Sequence, residues 1–180
     1  MRASIALATL AMVCGAIGFT TPAHARAMIL SVGSTTFGNN ANVPNSMVNN
    51  AMGCTGKNIS PELHWSAGPR ATKSYAVTAW DPDAPAPGGW WHWVLFDIPP
   101  QLHRIAEGQN AGTSGTTSFN SPGYGGPCPP SGPVHHYRFT VYALDVGHIG
   151  ATAQTKGSEL LVKMHGHILA KGVIVGLSKR

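Results

Sequence analysis

His136-Tyr137-Arg138-Phe139-Thr140-Val141-Tyr142-Ala143-Leu144 alternates without a break. Tyr137, Phe139, Val141 and Ala143 fall on one side, and His136, Arg138, Thr140 and Tyr142 on the other. A period of two places successive side chains on opposite faces of a strand. The same reading extends outward. Lys73 to Trp80 is a strand with Tyr75, Val77 and Ala79 on one face, and Trp93 to Ile98 is another with Val94, Phe96 and Ile98 together. Val32 to Phe37 is expected to start the sheet and Val173 to Leu177 to end it. One helix is expected, capped by Ser158, with Leu160, Leu161, Met164, Ile168 and Leu169 on one side and Gly172 as its stop. Glu107 to Gly132 is rich in Gly, Ser, Thr and Pro and reads as a long surface excursion, a length of loop that is often functional. The fold class is therefore mainly β: antiparallel β-sheets packed as a sandwich, with one or two peripheral helices.

The N-terminus reads as a removable leader. Arg2 is followed by an uncharged apolar stretch, Ile5 to Phe19, and then by Ala23-His24-Ala25, the small-x-small pattern cut by signal peptidase. The stretch is short for a bilayer, which takes roughly 20 residues. Val13 before Cys14 argues against a lipidated cysteine. Residues 1–25 are thus expected to be removed, leaving 26–180 as one soluble domain, periplasmic or secreted. The formal charge of +5 is scattered, from Arg26 and Lys57 through Arg104 and Arg138 to Lys179 and Arg180. Nucleic-acid binders gather their cations on one face, so no nucleic-acid partner is expected. Cys54 and Cys128 are the two cysteines left after cleavage. In an oxidising compartment they are expected to pair, the alternative being two buried thiols that never meet.

Ionisable groups sit at the strand ends. Asp81 continues the face of Tyr75, Val77 and Ala79; His92 precedes Val94 on its face; His135 precedes Tyr137 on its face. If those faces share a core, the three groups meet at its rim. Asp81-Pro82-Asp83-Ala84-Pro85 is stiff, and the Gly123 to Gly132 loop is permissive and then rigid. Such a loop can bring backbone N–H groups to an anion, although structural turns account for both segments equally well. Trp90, Trp91 and Trp93 read as packing, and His165-Gly166-His167 as a solvated pair.

Taken together, Asp81-Pro82-Asp83-Ala84-Pro85, Trp91-His92-Trp93 and Ile98-Pro99 resemble the first signature of the phosphatidylethanolamine-binding protein family. Gly125-Gly126-Pro127-Cys128-Pro129-Pro130-Ser131-Gly132 with His135-His136-Tyr137-Arg138-Phe139 resembles the second. Gly53 to Pro61 and Leu63-His64-Trp65-Ser66 look like the bacterial, Raf-kinase-inhibitor-like branch, and the resemblance runs from about Met28 onward. It implies an antiparallel β fold with a small pocket for phosphate or a phosphoryl head group. Asp81, His92, His135 and Tyr137 would line that pocket, and Gly126 and Cys128 would contribute backbone. His136 stands where eukaryotic members generally have arginine, and the Asp83 to His92 linker is shorter than theirs. The implied function is an exported binding protein for a phosphate-like small molecule, without metal or cofactor, that also acts on partner proteins such as kinases. The bacterial branch includes homodimers, though no residue pattern demonstrates one here. The competing reading is a periplasmic hydrolase using Asp81, His92 and His135 in acid–base or metal-assisted chemistry.

Overall fold

The structure, a computed structural model, describes residues 28–180; the expected leader lies outside the described residues. In chain order the elements are β1 (Met28–Ile29), β2 (Val32–Gly33), β3 (Ala41–Asn42), β4 (Leu63–Trp65), β5 (Ser74–Asp81) and β6 (Trp90–Ile98). They continue with β7 (Arg104–Ile105), β8 (Thr113–Ser114), β9 (His135–Leu144), α1 (Gly157–Met164) and β10 (Ile168–Ser178). A larger sheet runs β1-β10-β9-β5-β6-β8, with β3 also on β10, and a small sheet runs β2-β4-β7. Most pairings are antiparallel; among the described strands only β1 and β3 lie parallel to β10.

The opening alternation holds. Tyr137, Phe139, Val141 and Ala143 face a core shared with Tyr75, Val77 and Ala79, closed on its far side by Leu63, Trp65 and Ile105 of the small sheet. The opposite face of the larger sheet is also covered at one end. There Ala76, Val94, Phe96, Tyr142 and Leu144 pack under Leu160 and Met164 of α1. Burial on both faces is why β5 is apolar almost throughout, as a central strand between two layers must be.

Three expectations change. Trp93 to Ile98 does not keep one parity. Pairs Val77↔Leu95 and Tyr75↔Ile98 leave one more residue on β6 than on β5, and so do Ala79↔Trp93 and Trp80↔Trp91. Each extra residue is a bulge, which shifts the side-chain phase. Leu95, Ile98 and Trp93 therefore enter the sandwich core, while Val94 and Phe96 face α1. The bulge near Ile98 contains Asp97 at φ +56, whose carboxylate accepts the Ile149 N–H at 3.1 Å. Val32 to Phe37 shortens to Val32–Gly33 and joins the small sheet, because Thr35 turns its N–H onto the buried Glu62 carboxylate at 2.6 Å.

The helix is also shorter and begins two residues earlier. Lys156 occupies the cap position, its N–H donating to Glu159 at 3.2 Å. Gly157 follows because a Cβ there would run into the Trp91 indole, so the first turn lies directly on that ring. Gly166, at φ +86, reverses the chain after Met164, and Ile168 and Leu169 open β10. Periodicity alone could not separate them from the helix, since both are apolar at helical spacing. Gly172 stands within β10, where Leu30 crosses it.

A Cβ on Gly172 would collide with the Leu30 carbonyl and come within 2.7 Å of Val32. Gly172→Ala should therefore lower stability by about 1 to 3 kcal/mol through overpacking. Urea titration should show the midpoint falling at unchanged slope; an unchanged midpoint would contradict the packing of β1 on β10.

Candidate functional site

The strand ends bring the site together. Trp80 pairs with Arg138, which puts Asp81 level with Tyr137 and diagonal to His135. Pro82 has no N–H to continue the ladder, so β5 stops and the chain leaves the sheet at Asp81. His92 is the extra residue of the second bulge in β6, and the bulge rather than simple parity turns it inward. The expected convergence is present, reached by a different route for His92.

Asp81, His92, His135 and Tyr137, all buried, line a cavity of about 200 Å³ together with Trp90, Phe119 and Cys128. His135 Nδ1–H donates to Asp81 Oδ2 at 2.8 Å, and the Asp83 N–H donates to Asp81 Oδ1 at 2.9 Å. Asp83 in turn accepts both the backbone N–H and the ring Nδ1–H of His136 at 2.8 Å. Burial works against the Asp83 charge, but the His136 hydrogen bonds outweigh it and hold the carboxyl below its ordinary value. The proline-stiffened loop is thus latched to the start of β9 at two successive histidines.

His92 Nδ1–H donates to the Gly125 carbonyl at 2.7 Å. The ring stands edge-on to Tyr137 at 4.9 Å and to Phe119 at 5.4 Å. Burial lowers its pKa from 6.5 to about 4, against the opposing pull of the Gly125 carbonyl and Asp81. At neutral pH the ring is uncharged; with Nδ1 donating, Nε2 is an acceptor. Burial first, and the Asp81 carboxylate second, raise the Tyr137 pKa, so the phenol keeps its proton and can donate.

Gly126 is not on the cavity wall. Its N–H donates to Asn58 Oδ1 at 2.7 Å, and a Cβ there would strike the Met47 carbonyl. Its function is to let the loop pass under Met47 and Val48. Cys128 lines the cavity and is bonded to Cys54, with Cα atoms 6.0 Å apart. Trp90, assigned to packing by its sequence alone, lines the cavity opposite Asp81, with which it pairs across the strands. Its indole N–H is enclosed and finds no partner among the described residues. Alternation on β6 would have revealed it only if the bulge at His92 were known. Among the described residues no three His, Cys, Asp or Glu side chains are grouped to hold a metal; Asp81 and His135 are paired with each other, and His92 is tied to Gly125.

The low His92 pKa has a consequence for stability. Below pH 6.5 the unfolded chain takes up a proton at this ring that the folded chain refuses until about pH 4. Stability falls across that window as pH drops, by about 3 kcal/mol from this residue alone. Denaturant titrations between pH 7 and 4 should show His92→Gln losing less stability than wild type; parallel profiles would mean that the ring is not buried neutral. Replacing both Cys54 and Cys128 by Ala should cost about 2 to 4 kcal/mol, since the bridge closes a loop of 74 residues. Thermal denaturation with and without reductant measures it, and no difference in the wild type would overturn the figure.

A family model described as "Phosphatidylethanolamine-binding protein" matches residues 33–179. The chain is 38% identical over 143 residues to UPF0098 protein YbhB of Escherichia coli K12, covering 75% of this chain and 90% of that one. It is 39% identical over 159 residues to a UPF0098 protein of Aquifex aeolicus, covering 84% and 90%. Its fold superposes on the crystal structure of E. coli YbcL, described as a member of the mammalian PEBP family, with TM-score 0.81 and 32% identity over 84% of this chain and 98% of that one. A PEBP homologue of Chlamydia trachomatis gives TM-score 0.76 at 32% identity, with the same coverage of both chains. The family match over nearly the whole described chain, the sandwich and the strand-end cluster agree, and the chain belongs to the phosphatidylethanolamine-binding protein family.

Proposed function

We propose that this protein binds a partly protonated or zwitterionic phosphoryl group, phosphate or a phosphorylated head group, in the cavity at Asp81, His92, His135 and Tyr137. The observation that carries the reading is the mixture of donors and acceptors on one buried wall. Tyr137 O–H is a donor, whereas Asp81 and the neutral His92 Nε2 accept. A fully ionised phosphate offers acceptors only and would meet Asp81 with like charge. A monoanionic phosphate ester carries one P–OH, which can donate to His92 while another of its oxygens takes the Tyr137 proton. A zwitterionic head group adds an ammonium for Asp81. The selectivity thus comes from proton placement rather than net positive charge.

One observation supports binding over nucleophilic catalysis by a hydroxyl or thiol. No serine, threonine or free thiol lines the cavity among the described residues, because its cysteine is in the disulfide. The Asp81–His135 pair has the geometry of an orienting carboxylate and a base, which is what the hydrolase reading would use. Phosphate release from phosphoethanolamine, stopped by His135→Asn, which keeps an N–H donor for Asp81, would favour that reading. The disulfide supports export to an oxidising compartment. A role in modulating protein partners such as kinases rests on the family resemblance.

The ligand's own second ionisation, near pH 6, sets the expected pH dependence, because His92 stays neutral there. Calorimetric affinity for phosphoethanolamine should rise as pH falls from 7.5 to 5.5. Tyr137→Phe and His92→Ala should each weaken binding by roughly tenfold, the loss of one hydrogen bond to a charged group. The same variants should bind a phosphodiester head group, which has no P–OH, with a smaller loss at His92. His135→Ala is a poor binding probe because it strands the buried Asp81 charge. Equal binding by wild type and both variants, or affinity that rises with pH, would refute the assignment.

A further inference from the structure

The larger sheet carries a second concavity on its opposite face. β6 sends Trp90 into the first cavity and Trp91 into this one, and the two sets of lining residues do not overlap. Its volume, about 490 Å³, lies within the roughly 300 to 1,000 Å³ common for small-ligand sites. α1 covers only one end of this face, so among the described residues the strands beyond it lie open between Leu161 of the helix and β1 at the edge.

The surface there is unusual in two respects. Eight large apolar side chains are exposed among the described residues, and four of them, Met28, Ile29, Leu161 and Val173, line this one groove. Exposed apolar residues scattered singly need no explanation; a gathered, concave set marks a binding surface. The floor adds Trp80 and Trp91, stacked with ring centroids 5.9 Å apart. Among the described residues the only charges on the lining are Arg138 and Lys171, and no Asp or Glu lies with them. Neither cation is in an ion pair among the described residues. Register sets their spacing. Arg138 lies four positions along β9 from Tyr142, the partner of Lys171, so the two cations stand about 13 Å apart along the strands. Between them run Thr140 and Val173, paired across β9 and β10.

We infer that this groove binds a single-chain anionic amphiphile, of the fatty-carboxylate class. The hydrocarbon lies along the apolar strip between the strands and Leu161, and the carboxylate pairs with the cation at one end. Charge complementarity selects this occupant over a second copy of the chain. A symmetric self-contact would set two faces bearing only Arg138 and Lys171 against each other, with no acid to offset them.

The test uses dodecanoate below its micelle threshold, followed by calorimetry and tryptophan fluorescence. Wild type should bind saturably at one to one, at least tenfold more tightly than it binds dodecyltrimethylammonium. Shortening the chain to decanoate should weaken binding, by at most about fourfold for each methylene removed. Arg138→Glu/Lys171→Glu, both at exposed positions, should reverse the preference between the two amphiphiles while leaving the thermal midpoint nearly unchanged. Leu161→Gln is the independent variant and should weaken dodecanoate through lost apolar contact, with the charges of the groove unchanged. The proposal is overturned if wild type does not saturate below the micelle threshold, or if the double variant binds dodecanoate as wild type does. Concentration-dependent self-association that the double variant abolishes would assign the groove to a second copy, and uptake only onto anionic vesicles would assign it to a membrane surface.

Discussion

A buried carboxylate cannot stand alone, and Asp81 is almost fully enclosed. Left without a partner such a charge would cost about 3 to 5 kcal/mol, more than most single contacts return. His135 is its counterpart at 2.8 Å, equally enclosed, and the requirement that the two meet fixes the end of β5 against the start of β9. Asp83 repeats the arrangement at the surface with His136, where solvent reduces its worth. The inner pair is the constraint and the outer pair is its brace. Everything else around the cavity is arranged about that fixed edge.

The two walls that complete the cavity are held by different means. One is the bulge in β6, which spends an extra residue to turn His92 toward Tyr137 and ties its ring to the Gly125 carbonyl. The other is the loop carrying Cys128, too rich in glycine and proline to be held by a ladder. It is fastened by Asn58 to the Gly126 N–H, by the Pro127 carbonyl accepting the Asn49 N–H, and by the disulfide to Cys54. The segment from Asn49 to Asn58 therefore acts as a backing plate. Its single covalent link compensates for a loop that has few regular hydrogen bonds of its own.

This division also explains what the amino-acid sequence could disclose. β9 and β5 were legible because their inner faces are uniformly apolar and their pairing is regular, so Tyr137, Phe139, Tyr75 and Val77 follow a period of two to the last residue. Asp81 and His135 were legible as extensions of those faces. β6 was not, because each bulge inserts a residue that no local pattern announces, and Val94 and Phe96 are as apolar as Leu95 and Ile98. Burial on both sides of the sheet erased the contrast that would have exposed the shift. The same loss of contrast joined Ile168 and Leu169 to the helix and consigned Trp90 to packing. Gly126 was misplaced for another reason. A glycine that lets two backbones pass and one that bares an N–H to a ligand look identical until the neighbouring chain is present.

The bulge has one further effect, which links the two faces of the sheet. Without it, strict alternation from Trp93 would place Trp91 on the inner face and Trp90 and His92 outside. With it, Trp91 turns outward onto Trp80 and under Gly157 of α1, while Trp90 and His92 turn inward to Asp81 and Tyr137. A single inserted residue therefore builds part of the inner cavity and part of the outer groove at once. Any substitution that removed the bulge would have to exchange both sets of side chains together, across a strand whose neighbours are buried on both sides. Neither surface can be altered at β6 without disturbing the other, which makes the phase of this one strand a shared structural condition of both.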